Sequence, residues 1–164
     1  LINLANHDPL TQLLNRRGFF RLCKKITKTA PLNSRVSLIM LDIDLFKQVN
    51  DQYGHETGDE AIKWIAQHIN ELFFELGVTA RIGGEEFAIF LPNTDIDDAF
   101  FLASKIRQAV GDSTLDIDGK QVNYTLSLGV ETSSKEDQSI DALFKRADFK
   151  LYGAKDKGRN RVEK

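Results

Sequence analysis

Gly83-Gly84 stand between a short β-prone run, residues 78–82, and a longer apolar run, residues 87–91. Two glycines in that setting predict a tight hairpin, because both central positions of the favoured two-residue turn need positive φ. The pair therefore demands two adjacent antiparallel strands in the middle of the chain. Glu85 and Glu86 follow the turn directly. A structural turn has no need of them, and adjacent like charges at the base of a hairpin repel unless a cation sits there.

The second constraint is Leu38-Ile39-Met40-Leu41. Four consecutive apolar residues within 35–43 suit a central strand covered on both faces. The strand runs into Asp42-Ile43-Asp44, and side chains alternate along a strand, so Asp42 and Asp44 share a side. Two readings stay open from this segment. In one, Asp44 caps the next helix and Asp42 is solvated. In the other, the carboxylates bind a cation, since burying them unpaired is costly. If the two strands lie side by side, Asp42 and Glu85 meet over a hard ion, and oxygen ligands favour Mg2+ or Mn2+ over zinc.

Around these strands the hydrophobic period switches between helix and strand. Helices are predicted over 16–29, briefly around Phe46, over 57–76, over 96–110 and over 139–155. Ala61, Ile62, Ile65, Ile69, Leu72, Phe73 and Leu76 recur at helical spacing in the second long helix. Ile140, Leu143, Phe144, Ala147 and Leu151 do so in the last, which Gly158 ends. Asp118-Gly119 predicts a second hairpin with residues 122–131 as its long strand. The result is an α/β chain, an α+β sandwich with a central, mostly antiparallel sheet flanked by helices.

A length of 164 residues suits one compact domain. A net charge of −2 argues against a general nucleic-acid surface. Cys23 is the sole cysteine, which excludes an intrachain disulfide and makes a reducing, cytoplasmic compartment the default. His7, His55 and His68 show no zinc spacing with it. No apolar run approaches a membrane span and no secretory leader is present, so no membrane contact by this domain is expected. Leu1 begins abruptly, and the chain reads as a piece of a longer protein.

No Gly-x-x-x-x-Gly-Lys-Ser/Thr occurs, so a P-loop does not hold phosphates here. The alternative is the turn after the central strand, where amides near Leu45 and Phe46 open a short helix whose N-terminus favours anions. Lys47 adds a charge close by.

Asp42-Ile43-Asp44-Leu45-Phe46-Lys47, Asn50 to His55, Gly58-Asp59 and Arg81 to Phe87 together resemble the signature of the GGDEF family of diguanylate cyclases, here in a GGEEF variant. Asp8-Pro9-Leu10-Thr11 with Asn15-Arg16-Arg17 matches too. So does the close, Arg146-Ala147-Asp148, Leu151-Tyr152, Ala154-Lys155 and Gly158 to Arg161. The resemblance covers nearly the whole chain, in order.

It implies the nucleotidyl cyclase or polymerase-palm (ferredoxin-like) fold, with residues 1–7 as the stub of an upstream signalling linker helix and 8–164 as a single GGDEF domain. It implies metal ligation by Asp42, the Ile43 carbonyl and Glu85, with Glu86 a candidate for a second Mg2+ or Mn2+. It assigns catalytic roles to Glu85, Glu86 and Lys47, and GTP contacts to Leu45, Phe46, Lys47, Asn50, His55, Asp59, Gly83, Gly84, Lys155 and Arg159. Lys155 and Arg159 have an ordinary alternative role, offsetting the dipole at a helix C-terminus. Asn50 and Asp59 match the guanine-reading positions, though alone they also read as a helix-end Asn and a first-turn acid.

The implied reaction joins two GTP molecules into cyclic di-GMP. Each domain carries one GTP site, so closing the ring needs a homodimer, controlled by an upstream sensory or regulatory domain in the parent, whose anchoring in the inner membrane stays open. The alternative reading is a non-catalytic GTP-binding or dimerisation module. Gln12 replaces a usual glycine and Ile82 a common aromatic. The feedback motif Arg-x-x-Asp is missing: Phe74 and Gly77 stand where its Arg and Asp belong, so no product-inhibition site is expected.

Overall fold

The computed structural model describes residues 4–29, 34–134, 137 and 139–164; residues 1–3 of the expected linker stub lie outside them. Residues 4–6 form a turn and His7 bridges to Leu14. Helix α1 (Arg16–Thr29) opens where Asn15 Oδ1 accepts the Gly18 amide at 2.8 Å, satisfying one of the helix's orphan donors. Strand β1 (Val36–Ile43) is buried at every position. Helices α2 (Phe46–Tyr53) and α3 (His55–Phe73) are divided by Gly54 alone, whose φ of 98° breaks the helical path. Strands β2 (Val78–Arg81) and β3 (Glu86–Pro92) form the glycine hairpin. Helix α4 (Ile96–Gly111) is capped by the Asp95 carboxylate, which accepts the Asp98 amide at 2.8 Å. Strands β4 (Leu115–Ile117), β5 (Lys120–Val122) and β6 (Leu126–Thr132), helix α5 (Ile140–Asp156) and strand β7 (Arg161–Glu163) complete the chain.

The main sheet has the order β2-β3-β1-β6-β7, antiparallel except for the parallel β6–β7 edge. Its two faces follow from the period of two along β1. Ile39, Leu41 and Ile43 pack with Ile62, Ile65, Ile69 and Phe73 of α3 and Ala103 and Ile106 of α4. Leu38 and Met40 pack on the opposite side with Phe19 and Cys23 of α1 and Leu143, Phe144 and Ala147 of α5. Each such large apolar side chain contributes about 1.5–3 kcal/mol by leaving water. Helix α5 lies directly on the sheet at Gly129, where a Cβ would stand 2.3 Å from the Ala147 carbonyl oxygen. That close approach delivers the last turn of α5 to the end of β1.

The structure departs from the sequence expectations in four local respects. The α3 helix runs from His55 to Phe73, so Phe74 and Gly77 lie in the turn beyond it. The expected long strand is two: β5 pairs with β4 in a separate ribbon, and β6 joins the main sheet. Between them the chain detours so that the Thr125 carbonyl can accept the Asp44 amide at 2.9 Å while Tyr124 is buried. Strand β7 was not expected, because three half-buried residues carry no readable period. Finally, neither Gly83 nor Gly84 has a left-handed φ. The turn is wider than two residues: the Ile82 and Gly83 amides both donate to the Glu86 carbonyl, at 2.8 and 3.3 Å.

Candidate active site

Strands β1 and β3 lie side by side with Asp42 opposite Glu86. Along β1, Asp42 continues the series of Leu38 and Met40; along β3, Glu86 continues that of Phe90 and Ala88. Both carboxylates therefore extend the face covered by α1 and α5, at the point where apolar packing stops. Glu85 sits in the loop just before β3 and accepts the Ile43 amide on its carbonyl at 3.2 Å. Asp42, Glu85 and Glu86 thus share one corner of the sheet, and Lys155 reaches it from α5 to bond Asp42 Oδ2.

Asp42 is not solvated, as one reading of the sequence had it: it is 6% exposed. Burial pushes its carboxyl above the usual aspartate range; the Lys155 ammonium opposes this and the Asp44 charge adds to it. Burial and the Asp42 charge likewise raise Glu85, against the pull of Lys155. Glu86 is raised by burial, Asp148 and Asp42, with Lys155 and Arg16 opposing. Burial is the leading cause in all three, and it disfavours their ionised forms. Asp148 and Arg16 were no part of the site as read from sequence, since nothing in their spacing marks their nearness to Glu86.

The donor set fits a hard divalent cation. Asp42 Oδ1 is buried and has no hydrogen-bond partner among the described residues. Among those residues no three His, Cys, Asp or Glu side chains converge as a self-sufficient metal cluster. Mg2+ does not require one, because it is ordinarily held by one or two carboxylates together with substrate phosphates.

Asp44 has a different role from either reading of the sequence. The N-cap of α2 is Leu45, in the left-handed region at φ 54°, and no side chain caps the helix. Asp44 is buried, and its oxygens accept from Ser127 Oγ at 2.6 Å, Thr125 Oγ1 at 2.7 Å and the Asn160 amide at 3.0 Å. It ties the end of β1 to β6 and to the turn after α5. That turn is strained, with Gly158, Arg159 and Asn160 at φ 119°, 66° and 46° in succession. The Asp44 bond helps to hold it, and with it Arg159.

The glycine loop is gripped from outside. Arg81 donates to the Gly83 carbonyl at 3.1 Å and, through Nη2, to the Gly84 carbonyl at 2.8 Å, while its Nη1 lies 3.2 Å from each Asp8 oxygen. A Cβ at Gly84 would meet nothing within 4 Å, and one at Gly83 only Glu86 Cβ at 3.8 Å. The fold itself does not require glycine at these positions.

The remaining sequence candidates lie on α2, on α3 and at the end of α5. Leu45 and Lys47 are exposed at the start of α2, and Phe46 is buried there. Asn50 packs against Gly58, where a Cβ would stand 2.1 Å from Asn50 Oδ1, and that buried oxygen has no partner among the described residues. Asp59 and His55 line a cleft of about 630 Å³ between α3 and the β4–β5 ribbon, with Tyr53, Asp116 and Lys120. Asn50 and Lys47 do not line that cleft. Lys155 lies in the last turn of α5 and Arg159 in the turn after it.

Residues 5–161 match the family described as Diguanylate cyclase, GGDEF domain. Diguanylate cyclase DgcM of Escherichia coli is 40% identical over 163 residues, covering 99% of this chain and 39% of its own length. Diguanylate cyclase A of Treponema denticola is 36% identical over 166 residues, covering 99% of this chain and 45% of its own length. The crystal structure of the GGDEF domain of DgcB from Caulobacter crescentus, in complex with c-di-GMP, superposes with a TM-score of 0.93 at 32% identity, covering 99% of this chain and 94% of that one. This chain belongs to the GGDEF family. It spans less than half the length of the two curated relatives. No described helix is long and apolar enough to cross a membrane.

Proposed function

We propose that this chain is the catalytic domain of a diguanylate cyclase, which joins two GTP molecules into cyclic di-GMP and releases two pyrophosphates. The observation that carries the reading is the corner of the sheet that holds Asp42, Glu85 and Glu86, with Lys155 bonded to Asp42, beside a glycine loop whose side-chain space is left open. Open space at Gly83 and Gly84 suits a phosphate or ribose lying against the backbone.

In each half-reaction the 3′-oxygen of one GTP attacks the α-phosphorus of the other. An O–P bond forms, the α–β phosphoanhydride bond breaks, and pyrophosphate leaves. Asp42, the Ile43 carbonyl and Glu85 would hold Mg2+ or Mn2+, and Glu86 a second ion. Bound there, divalent cations supply charge neutralisation at the triphosphate and acidify the attacking hydroxyl. Glu85, with its carboxyl raised above the ordinary range, is suited to accept the 3′-hydroxyl proton. Lys47, Lys155 and Arg159 hold the triphosphate from two sides, with the amides of Leu45 and Phe46. The Asn50 amide serves the guanine carbonyl and the Asp59 carboxylate its N–H donors; His55 flanks the base. Two such domains face each other, because each supplies one nucleotide.

Incubation with GTP and Mg2+ followed by chromatography tests the reading. Cyclic di-GMP is the expected product, lost when Mg2+ is chelated. Tight GTP binding without turnover would instead support a non-catalytic module.

A further inference from the structure

We propose that Lys155 is the resident counter-ion of Asp42, and that it competes with a divalent cation for this carboxylate until a triphosphate draws it away. The inference rests on the metal-binding reading of Asp42 given above. It goes beyond that reading by making one lysine the link between metal loading and nucleotide loading.

The geometry is asymmetric. Asp42 has one oxygen bonded to the Lys155 ammonium and the other buried and unpartnered among the described residues. The side chain of Asp42 is 8% exposed and that of Lys155 is 36% exposed. The carboxylate is fixed by the strand, whereas the lysine reaches in from the solvent side on a flexible four-carbon stem. Its backbone is held: Ala154 is buried, the Lys155 carbonyl accepts the Gly158 amide at 3.3 Å, and the Ala154 carbonyl accepts that of Arg159 at 2.9 Å. The rotatable bonds of the side chain are the remaining degrees of freedom.

A divalent ion at the free Asp42 oxygen would lie a few ångströms from the ammonium, and like charges on one carboxylate oppose each other. Metal alone therefore binds against Lys155. A triphosphate offers the ammonium a better partner, frees Asp42 for the ion, and so tightens metal binding. By linkage, the ion tightens nucleotide binding by the same factor.

The test titrates Mn2+ by electron paramagnetic resonance into the wild-type chain and into Lys155→Met, with and without 3′-deoxyGTP, which cannot cyclise. Without nucleotide, Lys155→Met is expected to bind Mn2+ about tenfold tighter, the effect of about one pK unit of differential interaction. The 3′-deoxyGTP should raise Mn2+ affinity more in the wild type than in the variant. Circular dichroism checks the fold, and Lys155→Gln serves if the methionine variant is unstable. Mn2+ binding that is unchanged or weaker in the variants overturns the competition and leaves the metal site standing. Failure of Mn2+ to bind either protein, even with 3′-deoxyGTP, overturns the metal reading and this inference with it.

Discussion

Asp8 and Arg81 lie 73 residues apart in sequence and meet with Arg81 Nη1 at 3.2 Å from both Asp8 oxygens. The same guanidinium grips the Gly83 and Gly84 carbonyls. The N-terminal turn therefore fixes the loop that presents Glu85. Asp8 also accepts the Thr11 amide at 2.9 Å and the Thr11 hydroxyl at 2.8 Å.

The first prediction concerns the pH dependence of that tie. Burial raises the Asp8 carboxyl, but the Thr11 hydrogen bonds and the Arg81 charge outweigh it and hold the carboxyl below its ordinary value. A depressed folded-state value contributes stability above the unfolded pKa of about 3.9, lost as pH falls through the lower folded value. Asp8→Asn should cost about 1–3 kcal/mol at neutral pH. The gap between wild type and variant should narrow below about pH 4. Urea unfolding of both proteins at neutral and acid pH measures it. A gap independent of pH would remove the charge from the account.

The second prediction is that Asp42→Asn and Glu85→Ala each reduce cyclic di-GMP formation by at least about 100-fold, the scale of losing one fixed group at a developing charge. Neither touches the apolar faces of the sheet. Burial disfavours the ionised Asp42 carboxylate in the fold despite Lys155, so Asp42→Asn should leave stability at neutral pH unchanged or slightly higher. Folded variants that keep substantial synthesis would rule out this metal site.

Much of this was legible in sequence because alternation and helical spacing carry it. The period of two through Leu38, Met40 and Asp42 determines which face the carboxylate joins, and the stripe of Leu143, Phe144 and Ala147 sets which side of α5 packs on the sheet. The bonds of Asp44 to Thr125, Ser127 and Asn160 were not legible, because they join three separate segments and no local pattern announces them. The same holds for Asp148 and Arg16 beside Glu86. The Gly-Gly turn was misread for another reason. Neither glycine has a left-handed φ and a Cβ at either would be accommodated, so the pair answers to no demand of the fold.

A third prediction concerns reaction order. If two GTP-loaded domains must face each other, the rate below the dimerisation range rises with the square of protein concentration. Specific activity should then double with each doubling of protein and level off once dimers saturate. Initial rates across a dilution series measure this. A specific activity that stays flat to the lowest measurable concentration would mean a dimer that does not dissociate there, or a ring closed within one domain.

The last prediction is that cyclic di-GMP is a weak inhibitor here and that the missing site cannot be restored by substitution. A dianionic product needs a cation for its phosphates and a carboxylate for guanine N–H groups, at about 1.5–3 kcal/mol per charged hydrogen bond. Phe74 is 70% exposed and offers only a ring. Gly77 offers no side chain, and the packing explains why. A Cβ there would stand 2.0 Å from the Phe90 carbonyl oxygen and 3.2 Å from Leu91 Cδ2. The obstacle is the backbone of β3, which cannot step aside as the tip of a side chain can. Phe74→Arg with Gly77→Asp should therefore not create tight product inhibition. The double variant should also lose stability, by at least the roughly 1–3 kcal/mol typical of overpacking. Initial rates with added cyclic di-GMP, alongside thermal unfolding, measure both effects. Non-competitive inhibition of the wild type at micromolar product would overturn the prediction, and so would a double variant that gains such inhibition without loss of stability.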